Sequence, residues 1–146
     1  MIDTSWIGHE LPSSMLQVER GRLQFFAKAT GETRPVYTDV SAARDAGHPD
    51  LPAPPTFLFS AELDSGAVLR MLEEIGLPVA RLLHGEQRFT YHQPVHAGDT
   101  VTVRSKITDI YTRKGGALEF VVKDSRAFNQ HDVLVAEMRA VLVCRH

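Results

Sequence analysis

The hydrophobic period changes partway along this chain, and the change limits what the chain can fold into. Apolar or small residues recur at Phe57, Leu58, Ala61, Ser65, Val68, Leu72 and Ile75, a spacing of three and four that predicts a helix packed against something flat. From Leu82 onward the period is two. Four runs rich in Val, Ile, Thr, Phe and Tyr are separated by turn signals at "HAGD", "RKGGA" and "NQHD", which predicts consecutive antiparallel hairpins. In the last run Leu134, Ala136, Met138, Ala140, Leu142 and Cys144 alternate with Val133, Val135, Glu137, Arg139, Val141 and Val143, so one face of that strand is wholly apolar. The layout is α+β: a curved antiparallel sheet that buries its apolar face on the helical segment beginning near Ala53.

Local signals fill in the rest. Pro54 and Pro55 mark the start of the central helix. Gly66 within it costs about 1 kcal/mol relative to Ala, so the segment is either one bent helix or two pieces meeting at "DSGA", the first being the more buried. Upstream, "SMLQVERG" reads as a short strand and Arg22 to Ala29 as one or two helical turns stopped by Gly31. Ser41 to Ala46 reads as a second short helix, with Ser41 as N-cap and Gly47 at its end. The proline-rich link "HPDLPAPP" follows.

The chain has 146 residues, enough for one domain, residues 1–146, without a disulfide or structural metal. Its net charge of −2 offers no handle for nucleic acid or an anionic membrane. The single cysteine, Cys144, has no internal partner, the N-terminus carries no leader pattern, and no apolar run approaches the roughly 18 residues that span a bilayer. A cytoplasmic protein is expected. The seven histidines form no i, i+4 pair with an acidic third ligand, so no metal site is expected.

The stretch "ATGETRPVYTD" carries a carboxylate, a guanidinium and a phenol within six positions. Taken alone it reads as a turn, with Glu32 and Arg34 in solvent and Tyr37 packed at its edge. A wider pattern assigns it more. "FAKATGETRPVYTD", "APPTF" and "HGEQRFTYHQPVHAGDTV" together resemble the MaoC-like dehydratases, specifically the N-terminal, FAS1-like dehydratase type of the (R)-specific enoyl-CoA hydratase superfamily. The resemblance runs from about Val18 to Val143 and implies a hot-dog fold, a curved antiparallel sheet wrapped around a central helix.

The hydratase signature of that family reads small residue, Gly, Asp, any residue, Asn, Pro, apolar, His; the matching stretch here is Thr30 to Tyr37. The family's aspartate and histidine handle the water that is added to, or removed from, a 2-enoyl thioester. Glu32 keeps the carboxylate with one more methylene. Tyr37 replaces the imidazole with a phenol, which near its usual pKa of about 10 donates a hydrogen bond but accepts no proton at neutral pH. Arg34 replaces the asparagine with a permanent cation, which either favours the ionised form of Glu32 or pairs with an acidic substrate group.

In "PAPPTF" the resemblance and the physics of helix starts meet. If Pro55 lies in the first turn it has no N–H to give, and the amides of Thr56 and Phe57 become the first donors for a thioester oxygen; a plain helix start is the competing reading. In "RKGGA" Gly115 and Gly116 suit a hairpin turn, where Arg113 and Lys114 are solvated or touch coenzyme A phosphates. On the first long strand Glu86, Arg88, Thr90 and His92 fall on one face and Gln87, Phe89 and Tyr91 on the other, which gives that strand a supporting role.

Three functions follow from the resemblance. The first is an enzyme interconverting 2-enoyl and 3-hydroxyacyl thioesters of coenzyme A or acyl carrier protein. Glu32 is then the base, Tyr37 a donor to water, and Arg34, Pro55, Thr56 and Phe57 the substrate-binding residues. The second is a non-catalytic acyl-binding subunit whose catalytic hot-dog partner supplies the aspartate and histidine. The third is a hot-dog thioesterase. None implies a cofactor beyond the thioester carrier, and the open sheet edge of the fold implies a homodimer or a heterodimer with a second hot-dog subunit.

Overall fold

The computed structural model describes residues 1–145. It is an α+β structure with one curled antiparallel sheet. The strands are β1 (Ser14–Gln17), β2 (Leu82–Tyr91), β3 (Thr100–Arg113), β4 (Leu118–Phe128) and β5 (Leu134–Arg145), and the helices are α1 (Arg20–Thr30), α2 (Val40–Asp45), α3 (Phe59–Ser65) and α4 (Ala67–Glu74). Among the described residues no helix is long and apolar enough to cross a membrane.

The period-two runs are all strands, but their pairing departs from a chain of consecutive hairpins. The order across the sheet is β1-β3-β4-β5-β2. β3, β4 and β5 are consecutive neighbours, whereas β2 pairs with β5, from Leu82↔Cys144 to Tyr91↔Ala136. "HAGD" is therefore part of a crossing that leads from one sheet edge back to β3. Side-chain alternation fixes which face of a strand is buried but not its neighbour.

A bulge interrupts the β2 register between His84 and Glu86. Gly85 occupies it because a Cβ there would lie 2.7 Å from Val143 Cγ2 and 3.3 Å from the Val141 carbonyl oxygen. The extra residue puts His84 on the same face as Gln87, Phe89 and Tyr91, toward the helices.

The helical layer corrects two expectations. The central segment is two helices, broken at Gly66, whose φ of 71° lies in the left-handed region that glycine adopts without a Cβ penalty; its first helix starts at Phe59 rather than at the prolines, and Pro54 to Leu58 form the turn before it. At α2 the N-cap is Asp39, whose Oδ1 accepts the Ser41 amide at 2.8 Å. The aspartate sits one residue before the helix and can reach back over the first turn, while Ser41 is already helical.

Two apolar clusters fill the concave side of the sheet. One joins Leu23, Leu51, Phe57, Leu58, Ala61, Val101, Val103, Ala127 and Met138; the other joins Met71, Leu72, Ile107, Ile110, Val121, Leu142 and Cys144. Between them lies a buried polar layer. Glu62 on α3 accepts two hydrogen bonds from Lys123 Nζ, at 2.6 and 2.7 Å, and one from Ser105 Oγ at 2.6 Å. Lys123 also donates to Ser125 Oγ at 2.9 Å, and Ser125 lies 2.9 Å from Ser105 Oγ. A buried pair with its remaining valences filled in this way is destabilising to break from one side.

Replacing Lys123 by Met leaves Glu62 buried and unpaired and should lower the unfolding free energy by about 3–5 kcal/mol, read from urea titration. Adding Glu62→Gln on that background should recover much of the loss. Gly85→Ala should cost about 1–3 kcal/mol by overpacking against Val143.

Candidate functional site

The loop that follows α1 is closed on itself. α1 ends at the left-handed Gly31, whose N–H bonds back to the Ala27 and Lys28 carbonyls, and the Glu32 amide donates to the Ala27 carbonyl at 2.8 Å. The Glu32 carboxylate then turns forward: Oε1 accepts the Arg34 backbone N–H at 3.0 Å and Nε at 2.9 Å, and Oε2 accepts Nη2 at 2.7 Å. The Arg34 guanidinium carbon lies 5.0 Å from the centre of the Tyr37 ring. Tyr37 itself closes a single 3₁₀ turn, Pro35–Tyr37, which the fixed φ of Pro35 starts. The three altered signature positions are thus brought together, chiefly with one another.

This arrangement sets the proton affinity of Glu32. The guanidinium and amide of Arg34 lower its pKa to about 2. A general base works best with a pKa near the operating pH; this carboxylate is far too weak a base to draw a proton from water at neutral pH.

Tyr37 and Pro55 line a cleft of about 330 Å³ with Ala53, Leu58, Tyr91 and His92. Its wall is the proline-rich link, which is strapped to the crossing before β3: the Ala53 amide donates to the Val95 carbonyl at 2.7 Å and the Ala97 amide to the Leu51 carbonyl at 2.9 Å. His48 Nδ1 and His96 Nε2, 2.9 Å apart, join the same two segments. At the cleft's rim His92 Nε2 pairs with Glu137 Oε2 at 2.9 Å.

The amides expected to meet a thioester oxygen are engaged. The Tyr91 hydroxyl accepts the Thr56 N–H at 2.8 Å, and the Phe57 N–H donates to the Pro54 carbonyl at 3.1 Å. Thr56 has φ 74°, an unfavourable conformation for a β-branched residue. Its side chain lines a second cavity of about 410 Å³, with Phe26, Phe59, His84, Gln87 and Phe89. Phe57 is buried in the core, edge-on to Phe26 at 5.3 Å. Neither Glu32 nor Arg34 lines either cavity.

Two features of the site were not read from the sequence. Strand parity put Tyr91 on one face with Gln87 and Phe89, but nothing in "FTYHQP" announces that its hydroxyl reaches Thr56. The His92–Glu137 pair joins residues 45 apart, and only the β2–β5 pairing brings them together.

A mostly apolar cleft thus lies between a curled antiparallel sheet and short helices, beside a loop of carboxylate, guanidinium and phenol. The FAS1-like dehydratase domain region matches residues 5–138. A UPF0336 protein of Streptomyces coelicolor is 40% identical over 115 residues, which cover 78% of this chain and 77% of that one. Among solved structures, the C-terminally truncated HadBC complex of Mycobacterium tuberculosis, a (3R)-hydroxyacyl-ACP dehydratase, is 27% identical with a TM-score of 0.77, over 91% of this chain and 95% of the other. A MaoC-like dehydratase is 23% identical with a TM-score of 0.83, over 97% of this chain and 42% of that protein. The chain belongs to the FAS1-like dehydratase family, within the MaoC-like hot-dog group.

The Glu32–Arg34 contact has a measurable signature. Because the folded-state pKa lies below the ordinary 4.5, the contact adds stability above about pH 4.5 and loses it as pH falls toward 2. In a carboxyl-carbon NMR titration Glu32 should titrate near 2, and in Arg34→Ala its midpoint should return toward the ordinary 4.5.

Proposed function

We propose that this chain is the acyl-thioester-binding subunit of a two-subunit hot-dog hydratase or dehydratase, whose catalytic partner supplies the carboxylate and imidazole that act on water. The observation that carries this reading is the closure of Glu32 on Arg34, with a phenol at position 37: the loop holds a carboxylate tied through three hydrogen bonds to its own neighbour, and a phenol where the family has an imidazole. Tyr37, Pro55 and the Thr56 turn then serve as acyl-cleft walls, and Phe57 holds that turn in the core.

Two further observations support it. β2 is a ten-residue edge strand, with Leu83 and Tyr91 exposed; such an edge is a ready surface for a second sheet to continue. The HadBC similarity, at 27% identity, is to a protein solved as a complex. The reaction served is the addition of water across the C2–C3 double bond of a 2-enoyl thioester, or its reversal, on coenzyme A or acyl carrier protein.

The chain purified alone should hydrate crotonyl-coenzyme A no faster than background, and it should form an active complex when co-expressed with a hot-dog hydratase subunit that carries the aspartate–histidine signature. Glu32→Gln in that complex should change turnover less than twofold. Turnover by the isolated chain that Glu32→Gln abolishes would overturn the proposal in favour of a self-sufficient hydratase, and release of free thiol by the isolated chain would overturn it in favour of a thioesterase.

A further inference from the structure

The face of the sheet turned away from the helices carries its charge in two neighbouring rows. Cross-strand partners set the first as Arg104, Arg126, Glu137 and Thr90, and the second as Lys106, Asp124, Arg139 and Arg88, each row crossing β3, β4, β5 and β2 in turn. The rows hold five cations against two carboxylates, on a chain whose net charge is −2. A positive band on an otherwise negative molecule creates a local field that the net charge hides.

Each row also sets two guanidiniums directly opposite one another, Arg104 against Arg126 and Arg139 against Arg88. Like charges so placed repel, and the sheet relieves the two pairs unequally. Arg139 donates two hydrogen bonds to Asp124, at 2.7 and 2.8 Å, and Arg88 turns to Glu86. Arg104 and Arg126 instead lie over the ring of Phe128, 4.8 and 5.4 Å from its centre. Among the described residues Arg104 reaches only the exposed Asp132, at 3.6 Å, and Arg126 and Lys106 form no ion pair. Phe128 thus holds together two cations that their own chain leaves largely uncompensated.

These residues line a groove rather than a flat face. A depression of about 310 Å³ lies beside Arg104 and Phe128, bounded by Glu10, Leu11 and Ser13. A second, of about 410 Å³, lies beside Arg88, Glu137 and Arg139. Lys106, Asp124 and Arg126 line both, so the two form one trough that crosses the sheet from β3 to β2. Three inter-strand steps of about 4.8 Å make it about 14 Å long, the length of about four residues of extended polypeptide. No residue that lines the acyl cleft lines this groove.

We propose that the groove binds an extended acidic segment of a partner protein, whose carboxylates meet Arg104, Lys106 and Arg126. A guanidinium receives a carboxylate through paired N–H donors, and alternate side chains of an extended segment project to one side, so about two or three carboxylates reach the groove at once. The groove's own carboxylates argue against a nucleic acid. Evenly spaced phosphates would meet Glu137 in one row and Asp124 in the other, and Phe128, the one aromatic ring in the lining, is already engaged by two guanidiniums and is not free to stack on a base. A peptide avoids both problems, because its acidic positions can be spaced to match the cations. The proposal stands apart from the acyl-binding reading, since the two sites share no residue.

The test is fluorescence anisotropy of a labelled peptide of alternating Glu and Ser, titrated with the intact chain. The peptide should bind at about 0.05 M sodium chloride and weaken steadily toward about 0.5 M, and its Gln and Ser counterpart should bind about tenfold more weakly or worse. Arg126→Gln and Lys106→Gln alter exposed side chains and break no ion pair among the described residues; each should weaken binding about three- to tenfold while the urea midpoint shows the fold retained. Arg113→Gln, at the far end of β3 and outside the groove, removes the same charge and should change the affinity less than twofold. Equal loss in Arg113→Gln and Arg126→Gln overturns the groove in favour of a diffuse charge effect. Absence of binding, or equal binding of the Gln peptide, overturns the acidic segment as its ligand, and tighter binding of oligothymidylate than of the Glu peptide overturns it in favour of a nucleic acid. None of these outcomes touches the acyl-binding reading.

Discussion

The contact between Glu62 and Lys123 sets the geometry on which everything else in the molecule depends. Hydrocarbon packing is tolerant: a helix laid on an apolar sheet can slide or rotate with little loss as long as it stays covered. An ion pair sealed from water has no such latitude, because any displacement that opens it strands a charge in a medium that cannot solvate it. By joining α3 to β4, with Ser105 on β3 as a third point, the pair fixes the helix in both register and rotation. It also separates the two apolar clusters, so that each packs against its own half of the helical layer.

The site inherits that precision. The turn from Pro54 to Leu58 leads directly into α3, and Phe57 and Leu58 are anchored in the core on the same side of the polar layer. Thr56 is therefore held between a buried neighbour and a constrained proline pair, which is how a β-branched residue persists at positive φ. The loop after α1 is organised quite differently. Glu32, Arg34 and Tyr37 take their positions from contacts within six residues, and the 66% exposure of the Arg34 side chain leaves the group at the surface.

Much of this was legible in the sequence, and the parts that were not have a common cause. The switch from a three-and-four spacing to alternation located the helical layer and the four long strands, and Gly66 marked the break between α3 and α4. Those are local signals. Which strand lies beside β2, and what Glu62 does, are matters of partners far apart in the chain: alternation around Leu82 is the same whichever neighbour it has, and a glutamate in "SAELDS" reads as a solvated helix residue until Lys123, 61 positions on, is placed against it. The loop from Glu32 to Tyr37 was singled out by its match to a known signature, and Arg34 beside Glu32 suggested either a carboxylate kept ionised or a partner for an acidic substrate group; the structure pairs the two side chains. The Tyr91 contact with Thr56 could not be read, because it joins a strand end to a turn through a single hydroxyl.

The position of β2 in the sheet bears on how the protein is made. It is the first of the long strands to leave the ribosome, yet its only strand neighbour among the described residues, β5, is the last. Through the synthesis of some forty intervening residues both of its edges are bare, and non-local pairings of this kind are slow to form. A nascent chain in that interval offers the same inter-strand hydrogen-bonding groups to any extended segment nearby. The bend that Gly85 builds into the strand narrows the set of segments able to lie flat along it.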